Sequence, residues 1–306
     1  MHNPQLRGFF RLDRSGGTGF LVINTVGDDV TQDSAIDVQS GLTEERALQF
    51  LRTAIGTDMP MEIVNVANWR AEATCAERLR DGRVFLAGDA AHVVPPNGGF
   101  GGNMGIQDAL NLAWKLAAVV KGDADPALLD SYEAERLPLC ELNVEQAYTR
   151  YATRVVPERG TDGVQPPIPD IELEIGLVMR SAVIVPEEEE EDDGALHLAP
   201  AALTGRPGTR APHVVLSDGR STLDLFGSEF AVLRPAGDGV DDWAPPGVAS
   251  HVIDAESFAE NYGLSAGGAT LVRPDGVVAW RSRGPAGRDE IEGAVATALA
   301  RAPVQA

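Results

Sequence analysis

The sequence predicts an α/β protein of two domains, and three observations carry that prediction. Strand signals alternate with helical periodicity along most of the chain, a short apolar run passes through a glycine-rich loop straight into a long helix at 83–121, and a Pro/Gly-rich stretch at 156–170 breaks the pattern. A length of 306 residues suits about two domains with at least one sizeable core. With 43% hydrophobic and 23% charged residues the balance is globular, which excludes wholesale disorder and collagen-like or coiled-coil chains.

In chain order, Gly8 to Leu12 and Gly19 to Val26 are rich in β-formers and are separated by Ser15-Gly16-Gly17, so they read as a hairpin or as part of a larger sheet. Thr43 to Ile55 sets Leu48, Leu51 and Ile55 at three- and four-residue steps, with Glu44 and Glu45 in the first turn and Gly56 beyond the end. That pattern predicts a capped amphipathic helix. Trp69 and Arg70 sit on a strand-like segment and are read as facing either substrate or core. Arg83 to Gly88 reads as a short buried strand and Asp89 to Gly105 as a Gly/Pro loop. Gly105 to Lys121 reads as a helix with the apolar stripe Ile106, Leu110, Ala113, Ala117 and Val120, ended by Gly122. Asp125 and Pro126 open another helix through Tyr132 and Arg136 towards Tyr151, bent at Pro138.

The stretch 156–170 is the expected linker between domains at 1–155 and 171–306. Met179 to Val185 is strand-like. The run Glu187 to Asp193, flanked by Pro186 and Pro200, reads as a solvated acidic loop. Strand signals follow at 213–219, 221–227 and 229–234, then a helical segment at 256–263, a hairpin at 269–282 around Asp275-Gly276, and a final helix at 289–300. The alternation followed by a hairpin and terminal helix suggests a small α/β sandwich of thioredoxin type.

Twenty-five basic against 46 acidic side chains give a net charge of −21, a field that repels phosphate backbones and anionic lipid, so nucleic acid is not an expected partner. One third of that charge is the run 187–193. Two cysteines, Cys75 and Cys140, with no CxxC and no Cys/His cluster, suit a reducing cytoplasm and neither a disulfide framework nor a zinc site. No segment approaches the roughly 20 apolar residues of a membrane span.

The chemistry concentrates in Arg83 to Ala109, RVFLAGDAAHVVPPNGGFGGNMGIQDA. Gly88 and Asp89 close the strand, where a carboxylate can accept hydrogen bonds from a sugar-like hydroxyl, a placement typical of ligand sites in open α/β sheets. Gly98, Gly99, Gly101, Gly102 and Gly105 let a flat or charged group approach the backbone. The helix behind them aims free N–H groups at that group. This segment resembles the second FAD-binding motif of the class A flavoprotein aromatic-ring hydroxylases, the family of para-hydroxybenzoate hydroxylase and phenol hydroxylase. The likeness extends more loosely over most of the chain, nearest to the phenol and polyketide hydroxylases with a C-terminal thioredoxin-like domain.

The resemblance implies an α/β (α+β) fold: a partial FAD-binding and substrate-binding region at 1–155, then a thioredoxin-like domain without CxxC. It implies that Asp89 bonds the ribityl chain of FAD while Gly88 permits the turn, that Pro95 and Pro96 line the flavin face, and that Gly98 belongs to the cofactor loop. Gly101, Gly102, Asn103 and Met104 are implied to present N–H groups to the pyrimidine edge. The implied reaction is NAD(P)H- and oxygen-dependent hydroxylation of an aromatic, phenolic or polyketide-like small molecule through a flavin C4a-hydroperoxide. His92 reads as a structural hydrogen-bonding histidine, and Gln107 and Asp108 as first-turn residues favoured by the helix dipole.

Two departures temper this. No GxGxxG occurs, so the βαβ unit that grips the FAD pyrophosphate is missing, and the chain is expected to be the C-terminal portion of such an enzyme. It would work with a separate N-terminal half or within a homo-oligomer. The alternative is a non-catalytic binding or assembly module derived from such a hydroxylase. No cysteine follows Cys140, so the second domain carries no dithiol.

Overall fold

A computed structural model describes residues 2–3, 6–23, 42–67, 72–96, 98–154, 157, 162–187, 193–237 and 242–301. The expectations for Trp69, Arg70, residues 24–26 and 188–192 fall outside these. Two compact units emerge, Met1–Arg70 and Ala71–Ala306, and the stretch 156–170 lies within the second.

In the first unit, β1 (His2–Asn3), β2 (Leu6–Leu12) and β3 (Gly19–Ile23) form an antiparallel sheet, with Phe9 opposite Val22 and Phe10 opposite Leu21. Asp13 organises the expected turn by accepting from the Ser15 and Thr18 hydroxyls and the Gly17 N–H. Helix α1 (Glu44–Ile55) is capped as its sequence requires. The Thr43 hydroxyl accepts from the Arg46 N–H, and Gly56 takes the left-handed φ of 78°. Phe50 buries against Leu6.

The second unit is built on two long helices, α2 (Phe100–Lys121) and α3 (Asp130–Arg154). Before them β4 (Thr74–Cys75) pairs with β7 (His92–Val93), and β5 (Arg80–Asp81) with β6 (Val84–Phe85). The buried strand expected at 83–88 is reduced to Val84–Phe85, with Val84 64% exposed, because among the described residues it pairs with the two-residue β5 alone. Helix α2 starts at Phe100, five residues before the expected Gly105. Gly98 and Gly99, at φ 113° and 75°, turn the chain sharply enough to start it there.

The apolar stripe of α2 is not its buried face. Ile106, Leu110 and Val120 are 60%, 55% and 84% exposed, and the buried side carries Met104, Asp108, Asn111, Leu112 and Lys115. Periodicity located the stripe, but α3 and the C-terminal sheet supply charges that make the polar face the inner one. Asp125 caps a 3₁₀ turn, Pro126–Leu129, and α3 then runs unbroken past Pro138.

After α4 (Asp170–Ile175), residues 179–185 are irregular although Val183 and Ile184 are buried, and Thr222–Leu225 is a 3₁₀ turn where a strand was expected. The C-terminal sheet has the order β11-β10-β8-β9, from β8 (Phe230–Pro235), β9 (Val248–Ile253), β10 (Ala269–Val272) and β11 (Val278–Ser282). β8 and β9 are parallel and the other pairs antiparallel. Short helix α5 (Phe258–Asn261) precedes the expected Asp275-Gly276 hairpin, with Gly276 at φ 77°. Helix α6 (Arg288–Ala298) packs Ile291, Ala294 and Ala298 with Leu271 and Ala279 of the sheet. Among the described residues no helix is long and apolar enough to cross a membrane.

Candidate cofactor site

The glycine loop is where strand end and helix start come closest. Gly88, at φ 59°, faces Gly105 of α2, and a Cβ on Gly105 would stand 3.3 Å from the Gly88 Cα. A Cβ on Gly101 would meet the Val94 side chain at 3.3 Å, whereas one on Gly102 would meet nothing. Gly88–Ala90 is a 3₁₀ turn that leaves Asp89 exposed, with no hydrogen bond or ion pair to the described residues. Pro95 is buried and Pro96 exposed.

The start of α2 has no side-chain cap. In such a helix the free N–H groups belong to the cap and the first three residues, here Gly99 to Gly102. Asn103 instead bonds the Gly99 carbonyl with its side chain at 3.2 Å, and Met104 is buried in the core. Asn103 and Met104 therefore begin the helical ladder, and their N–H groups are committed to it. An unpaired carboxylate, free helical N–H groups and the open space at Gly102 fit a cofactor with hydroxyls and an electron-rich edge.

What holds this arrangement was not legible in sequence. Asp108, fully buried and in the third turn of α2 rather than the first, accepts from the Gly88 N–H at 3.0 Å and from Arg136 Nε at 2.8 Å, and it meets His92 Nε2 at 2.7 Å. Burial drives its carboxyl upward, but the His92 bond and the Arg136 charge outweigh burial and hold it below its ordinary value. His92 is thus the structural histidine expected. Cys140 lies 3.9 Å from the same carboxylate, and burial pushes its thiol up to about 12. His92, Asp108 and Cys140 lie close enough to suggest a metal, but Arg136 already supplies the cation there.

A second buried cluster joins α2 and α3 to the C-terminal sheet. Glu135 accepts from Arg273 at 2.7 and 2.9 Å, from Asn111 at 2.6 Å, from Lys115 at 2.9 Å and from Ser181 at 2.7 Å. Trp114 donates to Asp275 at 3.1 Å and packs edge-on against Phe230. Desolvation opposes the Glu135 charge, but Arg273 and then Lys115 keep its carboxyl well below the usual range. The end of the Pro/Gly stretch is also stitched down, since Arg150 donates to Asp170 and to the Ile168 carbonyl. Glu187, first of the acidic run, is no solvated residue: it pairs with Arg281 and Arg283. Two cavities, of about 300 and 400 Å³, are lined by Arg80, Asp81, Gly82, Asp130 and Glu133 and by Pro138, Glu141, Leu142, Glu145 and Leu196, away from the glycine loop.

Fold and site together define an α/β protein with a glycine-rich loop between a strand end and a helix start. Comparison with known proteins gives the family. Residues 22–147 match the FAD binding domain and residues 204–302 the aromatic-ring hydroxylase C-terminal region, so the chain belongs to the FAD-binding aromatic-ring hydroxylases. It is 47% identical to a Burkholderia sp. 4-methyl-5-nitrocatechol 5-monooxygenase, over 92% of this chain and 55% of that protein. It is 37% identical to a Streptomyces purpurascens aklavinone 12-hydroxylase, over 92% and 54%. A solved aklavinone-11 hydroxylase in ternary complex with FAD and aklavinone superposes with a TM-score of 0.86 at 34% identity, covering 98% of this chain and 58% of that one. The flavin-dependent monooxygenase PieE, solved with FAD and substrate, gives 0.75 at 27% identity, over 98% and 61%. The chain spans about half the length of these relatives.

Proposed function

We propose that this chain forms the catalytic-loop half of an FAD-dependent monooxygenase that hydroxylates an aromatic, phenolic or polyketide-like ring with NAD(P)H as co-substrate. The observation that carries the reading is the unpaired Asp89 carboxylate beside the uncapped start of α2, inside the segment that matches the FAD binding domain. When bound, FAD supplies the oxygen activation. The chain's own part is to hold it: Asp89 accepts from ribityl hydroxyls, Gly99 to Gly102 direct N–H groups at the electron-rich edge, and Pro95 and Pro96 wall the ring and keep water off it. Gly88 and Gly98 set the backbone turns.

The strand order β11-β10-β8-β9, with β8 and β9 parallel, supports reading the C-terminal sheet as thioredoxin-like. The described part of the β8–β9 connection contains no helix, a departure from that pattern. With no cysteine in this region its role is packing, and the Glu135–Arg273 pair is the strongest sign of it.

The test is flavin content. Protein purified with its N-terminal complement should show bound-flavin absorbance, and Asp89→Ala should lose it with the melting temperature of the flavin-free protein unchanged, because Asp89 bonds none of the described residues. A colourless, correctly folded complex that ignores added FAD overturns the reading.

A further inference from the structure

We infer that Arg150, far from the glycine loop in sequence, is a positioning residue for that loop: it holds the Phe100 ring, and through the ring the Gly98-Gly99 turn from which α2 starts. The functional consequence rests on the flavin reading above. Phe100 is the first residue of α2 and is 5% exposed. The edge of its ring lies against Gly98, in the space a side chain at that position would need. The guanidinium of Arg150, itself 1% exposed, stacks over the same ring with Cζ 4.8 Å from the centroid. One ring thus touches both the turn and a buried cation. A cation–π contact strengthens when water is excluded, and both partners here are buried.

What fixes the cation is its own plane. Arg150 donates through Nε to Asp170 at 3.0 Å and through Nη1 to the backbone and side-chain oxygens of Gln146 at 3.0 Å each. Through Nη2 it donates to the Ile168 carbonyl at 2.6 Å and again to Asp170. Those bonds account for the five N–H groups of a guanidinium, all directed within its plane, and leave its faces to stack. Gln146 is fixed in turn, donating to the Pro166 carbonyl at 3.1 Å and accepting from the Ile168 N–H at 2.8 Å, while Thr149 donates to the Gln165 carbonyl. Residues 165–170 are thereby fastened along the end of α3, and the stack passes that rigidity to the start of α2. A lysine at 150 would keep the charge but lose both the fork and the flat face. The N–H groups of Gly99 to Gly102 keep their common direction only while this turn holds, so Arg150 governs flavin affinity from within the core.

The test is a double-variant cycle with two readouts. Amide hydrogen exchange of the flavin-free chain, followed by mass spectrometry, reports residues 103–106, the first whose N–H groups enter the α2 ladder, with 112–121 of the same helix as control. Arg150→Lys and Phe100→Leu should each speed exchange at 103–106 at least about tenfold and leave 112–121 unchanged. The double variant should be no faster than Phe100→Leu alone, because Arg150 acts through the ring. Additive effects, or acceleration spread equally over 112–121, overturn the inference, since an arginine that merely stabilises the fold gives those results. Where Arg150→Lys does not fold, Asp170→Ala removes the carboxylate that seats the guanidinium from a side chain 55% exposed, and the same cycle with Phe100→Leu decides. The second readout is FAD titration of the protein purified with its N-terminal complement. Arg150→Lys should weaken FAD about tenfold, as a smaller competent fraction requires, and should add nothing to Phe100→Leu. Unchanged affinity beside a loosened turn overturns the positioning role. A parent protein that binds no FAD fails the flavin reading, and the exchange cycle then decides by itself whether Arg150 holds the turn.

Discussion

At the residue scale, the glycine loop depends on one buried side chain. Asp108 is tied to the Gly88 N–H, His92 and Arg136, all within 3.0 Å. Asp108→Ala leaves a buried guanidinium without its partner, which costs about 3–5 kcal/mol. Urea denaturation should show that loss, whereas Asp89→Ala should show none. Acid should act on the same groups. Asp108 and Glu135 have folded values depressed below ordinary values of 3.8 and 4.5, so the unfolded chain binds more protons as the pH falls through that range. Their stabilisation is complete above about pH 5 and is lost progressively as pH drops towards their folded values. Thermal melts of Glu135→Gln at pH 7, 4.5 and 3 should show a lower starting stability and a shallower decline than the parent.

At the element scale, the start of α2 separates glycines the fold requires from glycines the site requires. Gly98 sits at φ 113°, and a Cβ there would lie 2.4 Å from the ring of buried Phe100. Gly98→Ala should therefore cost about 1–3 kcal/mol in backbone strain alone, before the ring moves. Gly102 lies in the helix with open space around it, so Gly102→Ala should gain about 0.5–1 kcal/mol of stability. On the proposed function the same substitution fills space the flavin would take, so flavin affinity should fall while the melting temperature of the flavin-free protein rises. A variant that gained stability and kept flavin would place the cofactor elsewhere.

The elements also show where sequence reading succeeds. Helix α1, its Thr43 and Gly56 caps, the Ser15-Gly16-Gly17 turn and the Asp275-Gly276 hairpin were legible because each is set by residues within a few positions of one another. The motif loop was legible for the same reason. The buried face of α2 was not. Its polar residues become interior because Glu135, 24 positions beyond Asn111, accepts from Asn111 and is itself held by Arg273, 162 positions beyond Asn111. Nothing local to α2 announces those partners, although Asp108, Asn111 and Lys115 recur at three- and four-residue steps along it.

At the scale of the whole molecule, the net charge of −21 makes self-repulsion general. Raising salt from low to physiological levels, where the screening length contracts to about 8 Å, should raise the melting temperature. The buried Glu135–Arg273 pair should be insensitive to that change, so Arg273→Leu should remain destabilised at every salt concentration. Glu187, pinned by Arg281 and Arg283, already removes part of the acidic run from the solvated count.

By itself the sequence determined the class of fold, the glycine loop and the family resemblance, since all three are written in short-range patterns of glycine, proline and apolar spacing. Only the tertiary structure decided which side of α2 faces inward, that Asp108 anchors the loop instead of greeting its helix dipole, and that the two long helices are locked to the C-terminal sheet. Those outcomes depend on desolvated charges finding partners far along the chain, and the energy of such a pair exists only once folding has brought its members together.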